Sequence, residues 1–374
     1  MKIEFEDFNG IYNHLNGNQT MNINRLELCR HAMQVGYNNR RKFTGASCYK
    51  HLQLFFMVCA NVKEDKGELV LKKDFFNLDQ SEKVCVSYQL GQGLAKAVAE
   101  KYLNIPWVTH FKTMKTMGCQ FTYGGAKKKT IDPKENDGFE PDLLGYDKYG
   151  AIHLLESKGS SKKTTDSKTI QKAINQVSNI VDITRSGIST NFATRSACIF
   201  NFNDNFHGKI IDPPVDGNNI GKENYFGLLQ CLFDYYYDFF TEYDTVKMET
   251  INRFDNDWKG YFFSVGDEQY FWGIDSKCGE FLMEQIFRNN ELMQILKPKE
   301  SEESKESEES KKLEESKRLE KLEESEESEK PEIYYDGNQE KEMLAFFENR
   351  RTDDYTSQES SISVGLDGFI LCRI

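Results

Sequence analysis

Three residues near the middle of the chain have the types and spacing for hydrolytic chemistry. Asp142 follows Pro141, Glu156 lies fourteen positions on, and Lys158 two further. Around them, the apolar runs Leu143-Leu144-Gly145-Tyr146 and Ile152-His153-Leu154-Leu155 flank the polar stretch Asp147-Lys148-Tyr149-Gly150. Two apolar runs about a short turn ending in Gly predict a β-hairpin. A loop of Lys148, Tyr149 and Gly150 puts Gly150 at the left-handed position that only Gly adopts without strain. That loop pairs residue 147 with 151 and, counting outward, sets Asp142 opposite Glu156. Directly opposed residues share a face of the sheet. Residues two apart on one strand share it too, so Asp142, Glu156 and Lys158 form one cluster. Adjacent carboxylates repel, and a divalent cation relieves the repulsion. Mg²⁺ takes hard oxygen ligands and keeps several waters, so two carboxylates and a substrate phosphate suffice. A Lys beside such an ion orients a water, or helps deprotonate it, and stabilises charge on the phosphate. The chemistry is phosphodiester hydrolysis.

Those motif residues must be held by a sheet with helices about it, and the chain offers the elements. Gly91-Gln92-Gly93 is read as opening a helix, Leu94 to Tyr102, with Leu94, Ala97, Val98 and Tyr102 as its stripe. The Gly-x-Gly lacks the preceding strand and third Gly of a nucleotide fingerprint. Cys119 to Tyr123 reads as a first core strand, ended by Gly124-Gly125. After the hairpin, a helix capped by Asp166 or Ser167 is expected to run to about Thr184. Its apolar face is Ile170, Ala173, Ile174, Val177, Ile180 and Val181, and Gly187 ends it. Arg195 to Phe202 reads as a buried strand.

Pro141-Asp142 followed by Glu156-x-Lys158 resembles the PD-(D/E)xK nuclease superfamily, to which many restriction endonucleases belong. The order helix, strand, strand, strand, helix, strand over residues 89–215 matches that superfamily's αβββαβ core. The resemblance implies Asp142, Glu156 and Lys158 as catalytic residues. It implies Mg²⁺ or Mn²⁺ as the cofactor, held by Asp142, Glu156 and the backbone carbonyl of Ser157. Glu100, on the helix before the hairpin, is the further acid it suggests. Lys127, Lys128 and Lys129 before the hairpin, and Lys162 and Lys163 after it, place positive charge on both sides of the carboxylates. They serve either phosphate-backbone contact or solubility. Gln171 and Gln176 sit off the apolar stripe of their helix, where relatives often carry a Gln or Lys near the site.

The 374-residue chain is long enough for two or three domains and a sizeable core, and it carries a net charge of −12. An acidic total leaves nucleic acid open as a partner, because local patches govern contact. The nine cysteines include no Cys-x-x-Cys and read as reduced thiols rather than a zinc site or disulfide framework. The six His residues show no metal-ligand spacing. No apolar signal core opens the sequence and no run approaches the roughly 18 residues of a membrane span, so a cytoplasmic protein is expected.

Residues 1–88 read as an α/β extension. It has a helix from Asn24 to Val35 ended by Gly36, a basic turn at Arg40-Arg41-Lys42, and a strand-like run from Leu52 to Val62. Residues 216–298 and 332–374 read as two parts of an aromatic-rich α+β domain. Helices are expected at Leu228–Phe240, Phe281–Leu296 and Glu340–Asn349, with hairpins at 260–274 and 361–374. Ser363-Val364-Gly365 echoes Ser264-Val265-Gly266. Between these parts, 299–331 is a low-complexity linker; its residues 299–330 hold fourteen Glu against eight Lys and Arg, half the net charge of the chain. The expected whole is a Mg²⁺-dependent DNA endonuclease, of the kind that serves bacterial restriction or anti-phage defence. No Walker A pattern is present, so any NTP-driven step would need a helicase, ATPase or sensor partner; a homo-oligomer is a further expectation. The other expectation is a non-catalytic nucleic-acid-binding or scaffold subunit that keeps the fold.

Overall fold

A computed structural model describes residues 1–35, 47–116, 120–123, 140–162, 164–185, 188–190, 192–203, 205–214, 228–241, 247–288, 337–348 and 361–374. Met1–Leu282 and Gly337–Ile374 form one compact unit, and Met283–Asp336 is assigned to a second. The acidic segment 299–331 therefore lies outside the described residues, as do Lys127 to Lys129, Lys163, Gly187 and the basic turn at 40–42.

In chain order the first unit begins with β1 (Lys2–Glu6), β2 (Gly17–Thr20), α1 (Arg25–Val35), α2 (Ser47–Asn61), β3 (Val62–Asp65), β4 (Glu68–Leu71) and α3 (Gln80–Leu103). Next come β5 (Trp107–His110), α4 (Phe111–Thr116), β6 (Gln120–Tyr123), β7 (Leu143–Tyr146), β8 (Ile152–Ser160) and α5 (Ser167–Ser178). Then follow β9 (Ile180–Arg185), β10 (Ile188–Thr190), β11 (Thr194–Asn201), β12 (His207–Ile211) and α6 (Leu228–Thr241). The last described elements are β13 (Glu249–Arg253), β14 (Asn256–Val265), β15 (Glu268–Asp275), α7 (Ser276–Arg288), α8 (Gly337–Glu348), β16 (Ile362–Val364) and β17 (Phe369–Arg373).

The protein is a mixed α/β fold about a seven-stranded sheet in the order β2-β1-β12-β11-β8-β7-β5. β5, β7 and β8 are antiparallel neighbours, whereas β8 and β11 are parallel and joined through α5. β1 pairs parallel with β12, so the N-terminal strands extend this same sheet. β7 and the first six residues of β8 are buried throughout, as expected for strands covered on both faces. One cover is α5, whose Ala173 and Val177 pack on Ala197, Ile199 and Ile211. The other is α3. A Cβ built on Gly159 would lie 1.9 Å from the Ser87 carbonyl oxygen, and one on Gly91 would lie 2.9 Å from Ser157 Oγ. At Gly159 the helix and strand backbones are in direct contact.

Four elements differ from the sequence reading. The apolar run from Leu52 is helical to Asn61, the greater part of α2, and Val62 opens β3; an apolar run alone does not separate strand from helix. Gly91 and Gly93 lie inside α3, which starts at Gln80 behind an Asp79–Glu82 capping box. Gly91 serves the close approach to β8, and Gly93 lies against Leu28 and Ala32 of α1. β6 belongs to a separate three-stranded sheet with β9 and β10; the strand beside β7 is β5. Lastly α5 ends at Ser178, and Ile180–Arg185 is β9. Ile180 and Ile183 are buried from that strand, so β-branched residues continue an apolar pattern past the end of the helix.

A five-stranded sheet in the order β13-β14-β15-β17-β16 unites strands from both sides of residues 299–331. Its aromatics are core: Trp258 and Trp272 are buried, and Trp272 stacks on Phe369 at 4.9 Å. The elements about the first sheet and this one are tied by hydrogen bonds. Arg30 of α1 donates to Ser363 Oγ at 2.9 Å, and Tyr236 Oη, which accepts from Trp107 Nε1 at 3.0 Å, donates to the Asp367 carbonyl at 2.6 Å. No described helix is long and apolar enough to cross a membrane.

Candidate functional site

The hairpin turn is built as its residues require. Gly150 adopts φ +80°, and its N–H donates to the Asp147 carbonyl at 3.0 Å. The Asp147 carboxylate accepts from the N–H groups of Tyr149 and Ala151, both at 2.8 Å, the side-chain turn that Asp forms readily. The ladder runs Tyr146↔Ile152 to Leu143↔Leu155. Continued by one step, it sets Asp142 opposite Glu156, the expected register.

Contacts at that end lock the two acids together. The Asp142 N–H donates to Glu156 Oε2 at 2.8 Å, and the Ser157 N–H donates to Asp142 Oδ2 at 3.2 Å. Lys158 Nζ donates to Glu156 Oε1. The Lys158 side chain is 25% exposed and that of Glu156 wholly buried, so the ammonium reaches solvent while the carboxylate does not. Glu156 and Lys158 lie beside Ala197 and Ile199 of β11, and these two residues pack under α5. The α5 side of the sheet is therefore the face that carries the motif. Ser157 and Gly159 point the other way, to α3.

Burial, then the neighbouring Asp142 charge, pushes the Glu156 carboxyl up to about 8 against the pull of Lys158. Asp142 is also raised, by burial, while Lys158, Lys112 and Lys172 pull it down. The Asp142 charge that helps raise Glu156 is a close-range repulsion that a cation would relieve. Glu156 is felt beyond the hairpin: burial and then its charge raise the Cys198 thiol. Tyr88 of α3 reaches the same neighbourhood. Its phenol is raised by burial and then by the charges of Asp142 and Glu156, and it accepts from Gln92 Nε2 at 2.6 Å.

The remaining expected residues divide. Gln176 is buried and its amide donates to the Glu140 carbonyl at 2.7 Å, two residues before Asp142, so it holds the chain where it enters the site. Its Oε1 is buried with no hydrogen-bond partner among the described residues. Gln171 is exposed and donates to Asn175 on its own helix. Lys162 is exposed just past β8, its carbonyl accepting from Asn201 at 2.6 Å. Glu100 is not brought to the acids. Its oxygens take Arg30 at 2.8 Å and Lys96 at 2.9 Å, and Lys96 also lies 3.8 Å from Asp367, all in a buried ionic cluster. Eight residues of helix, about 12 Å, separate Glu100 from Gln92. A buried carboxylate so close to Arg30 is needed to neutralise it.

Sequence reasoning missed Tyr88, Gln92, Lys112 and Lys172. Tyr88 and Gln92 precede Leu94, where the apolar stripe places the start of that helix. Lys172 is on the α5 segment that was read, four residues before Gln176, and that spacing puts both on one helix face. Lys112 sits in α4, which carried no signal.

A hard cation fits the donors present. Asp142 and Glu156 offer two adjacent carboxylates, joined through the Ser157 and Asp142 N–H groups. Among the described residues, no group of three or more His, Cys, Asp and Glu side chains gathers as a metal site. Asp142 and Glu156 are hard oxygen donors, the kind that Mg²⁺ takes. Comparison with family models, with curated proteins and with solved structures finds no match for this chain.

Proposed function

We propose that the chain is a Mg²⁺- or Mn²⁺-dependent nuclease that hydrolyses DNA phosphodiester bonds on a restriction-endonuclease-like core. The observation that carries this reading is the hairpin end itself: Asp142 and Glu156 opposed and hydrogen-bonded, with Lys158 on the same strand and face. The order α3, β5, β7, β8, α5, β11, with β5-β7-β8-β11 adjacent in one sheet, supports an αβββαβ core. β6, β9 and β10 are then additions to it.

Asp142 and Glu156 would hold the ion, with the Ser157 carbonyl as the family-like third ligand. When bound, the ion supplies Lewis acidity toward a phosphoryl oxygen and a water of lowered pKa. The chain's own residues do the rest. Lys158, partly open to solvent, donates to a water or phosphate oxygen in front of Glu156. Lys112 and Lys172, exposed on α4 and α5, bias the site toward a phosphate backbone. Gln176 fixes the backbone that carries Asp142. Restriction or anti-phage defence, with a helicase, ATPase or sensor as partner, is the setting the resemblance offers.

One observation favours the non-catalytic reading. Both Glu156 oxygens and one Asp142 oxygen already have partners inside the hairpin, as a purely structural ion pair would. The panel that decides is plasmid, linear duplex, single-stranded DNA and RNA, each incubated with Mg²⁺, Mn²⁺, Ca²⁺ or EDTA. Cleavage of DNA in Mg²⁺ or Mn²⁺ and none in EDTA is expected. Binding without cleavage in every metal would select the non-catalytic reading, and cleavage of RNA alone would correct the substrate.

A further inference from the structure

Away from the hairpin, α1 and α2 pack side by side, and each brings one thiol to their contact. The Sγ atoms of Cys29 and Cys59 lie 3.8 Å apart, within hydrogen-bond range for sulfur. Both line a surface cavity of about 300 Å³, together with Arg25, Lys63, Glu64, Tyr270 and Arg373. Cys29 is buried and Cys59 only partly so, hence a reagent in the cavity meets Cys59 first. Lys72 donates to the Cys59 carbonyl at 2.6 Å, which keeps a further cation near that residue.

The two sulfurs differ in character. Hydrogen bonding from Cys29, then Arg25 and Lys72, lowers the Cys59 thiol despite partial burial and the opposing Glu268 charge. Burial first, then Cys59, raises Cys29. A partly exposed, acidified thiol in a cavity lined by cations, beside a buried thiol, is the arrangement of an attacking and a resolving cysteine. A packing role alone needs neither the cavity nor the cations.

We propose that Cys59 is a hydroperoxide-reactive thiol and Cys29 its resolving partner, forming a reversible disulfide that staples α1 to α2. The Cys59 thiolate attacks one peroxide oxygen; the S–O bond forms, the O–O bond breaks, and the departing alkoxide or hydroxide takes a proton from solvent. The Cys29 sulfur then attacks the Cys59 sulfenic acid. The S–S bond forms, the S–O bond breaks, and the Cys29 proton leaves with the hydroxide as water. Two thiols are oxidised by two electrons and one peroxide is reduced; a small dithiol reverses the change. The sulfurs must close from 3.8 Å to about 2.05 Å.

The test treats the full chain with hydrogen peroxide, alkylates the remaining thiols under denaturing conditions and maps peptides by mass. A Cys29–Cys59 cross-link lighter by two hydrogens, removed by dithiothreitol, is expected. It should form about tenfold faster than oxidation of the exposed Cys85. With Cys29→Ser, Cys59 should stop at a sulfenic acid that dimedone traps; with Cys85→Ser, the cross-link should be unchanged. Cys29 and Cys59 both alkylated after Cys85 has been consumed would overturn the proposal, as would Cys59 oxidised in the Cys29→Ser variant no faster than Cys85.

Discussion

Replacing Glu156 by Gln should make the protein more stable at pH 8 while removing its activity. The Glu156 carboxyl titrates at about 8 when folded, against an ordinary value of 4.5. Between those values the folded state binds a proton that the unfolded state does not. Stability therefore falls as pH rises from about 4.5 to about 8, and the loss is complete above that window. At 1.36 kcal/mol per unit, the carboxylate costs up to about 4–5 kcal/mol at high pH relative to a neutral group. Gln is neutral and nearly isosteric, and its carbonyl still accepts from the Asp142 N–H. Its amide, however, meets Lys158 donor to donor, which takes back about 1–3 kcal/mol. A net gain of about 2 kcal/mol is expected at pH 8, shrinking to zero or reversing near pH 5. Urea unfolding of wild type and Glu156→Gln at the two pH values measures it, as a shift in midpoint at unchanged slope. Saturating Mg²⁺ should stabilise the wild type and leave the variant unmoved. A Gln variant less stable than wild type at pH 8 would refute the reasoning and make Glu156–Lys158 a structural ion pair.

Gly159→Ala should destabilise by about 3 kcal/mol or more, since its Cβ would lie 1.9 Å from a backbone oxygen that cannot rotate away; a change under 1 kcal/mol in urea would mean that α3 slides freely on β8. Glu100→Gln should cost about 3–5 kcal/mol, because Arg30 and Lys96 stay buried beside it, and a loss confined to activity would instead return Glu100 to the metal site. The His31 imidazole is held down to about 4 by burial and then Arg30. Between about 4 and 6.5 the unfolded state binds the extra proton, so stability drops as pH falls through that window. The drop should be smaller in His31→Gln, and equal pH profiles for the two proteins would show that His31 does not report the acid lability.

The hairpin was legible because its information is local. Turn residues set the loop, the loop sets the register, and the register sets which side chains oppose one another at Asp142 and Glu156. The C-terminal hairpins and the Asp166 cap were readable for the same reason. What failed was set by contacts distant in sequence. Gly91 and Gly159 are required by the approach of a helix to a strand some seventy residues away. Nothing near Glu100 announces that Arg30 will be buried against it. The run at 52–62 is apolar whether it becomes helix or strand, and its packing against α1 and α3 decides. Lys112 and Lys172 reach Asp142 only once α4 and α5 are placed on the sheet.

The central claim is that Asp142, Glu156 and Lys158 act on a phosphodiester bond. Its most direct measurement is cleavage of DNA in Mg²⁺ by wild type, Glu156→Ala and Lys158→Ala, with circular dichroism and DNA affinity recorded on the same samples. The account predicts cleavage by wild type alone, with fold and DNA affinity nearly unchanged in both variants. Full activity in either variant, with its fold intact, would contradict it.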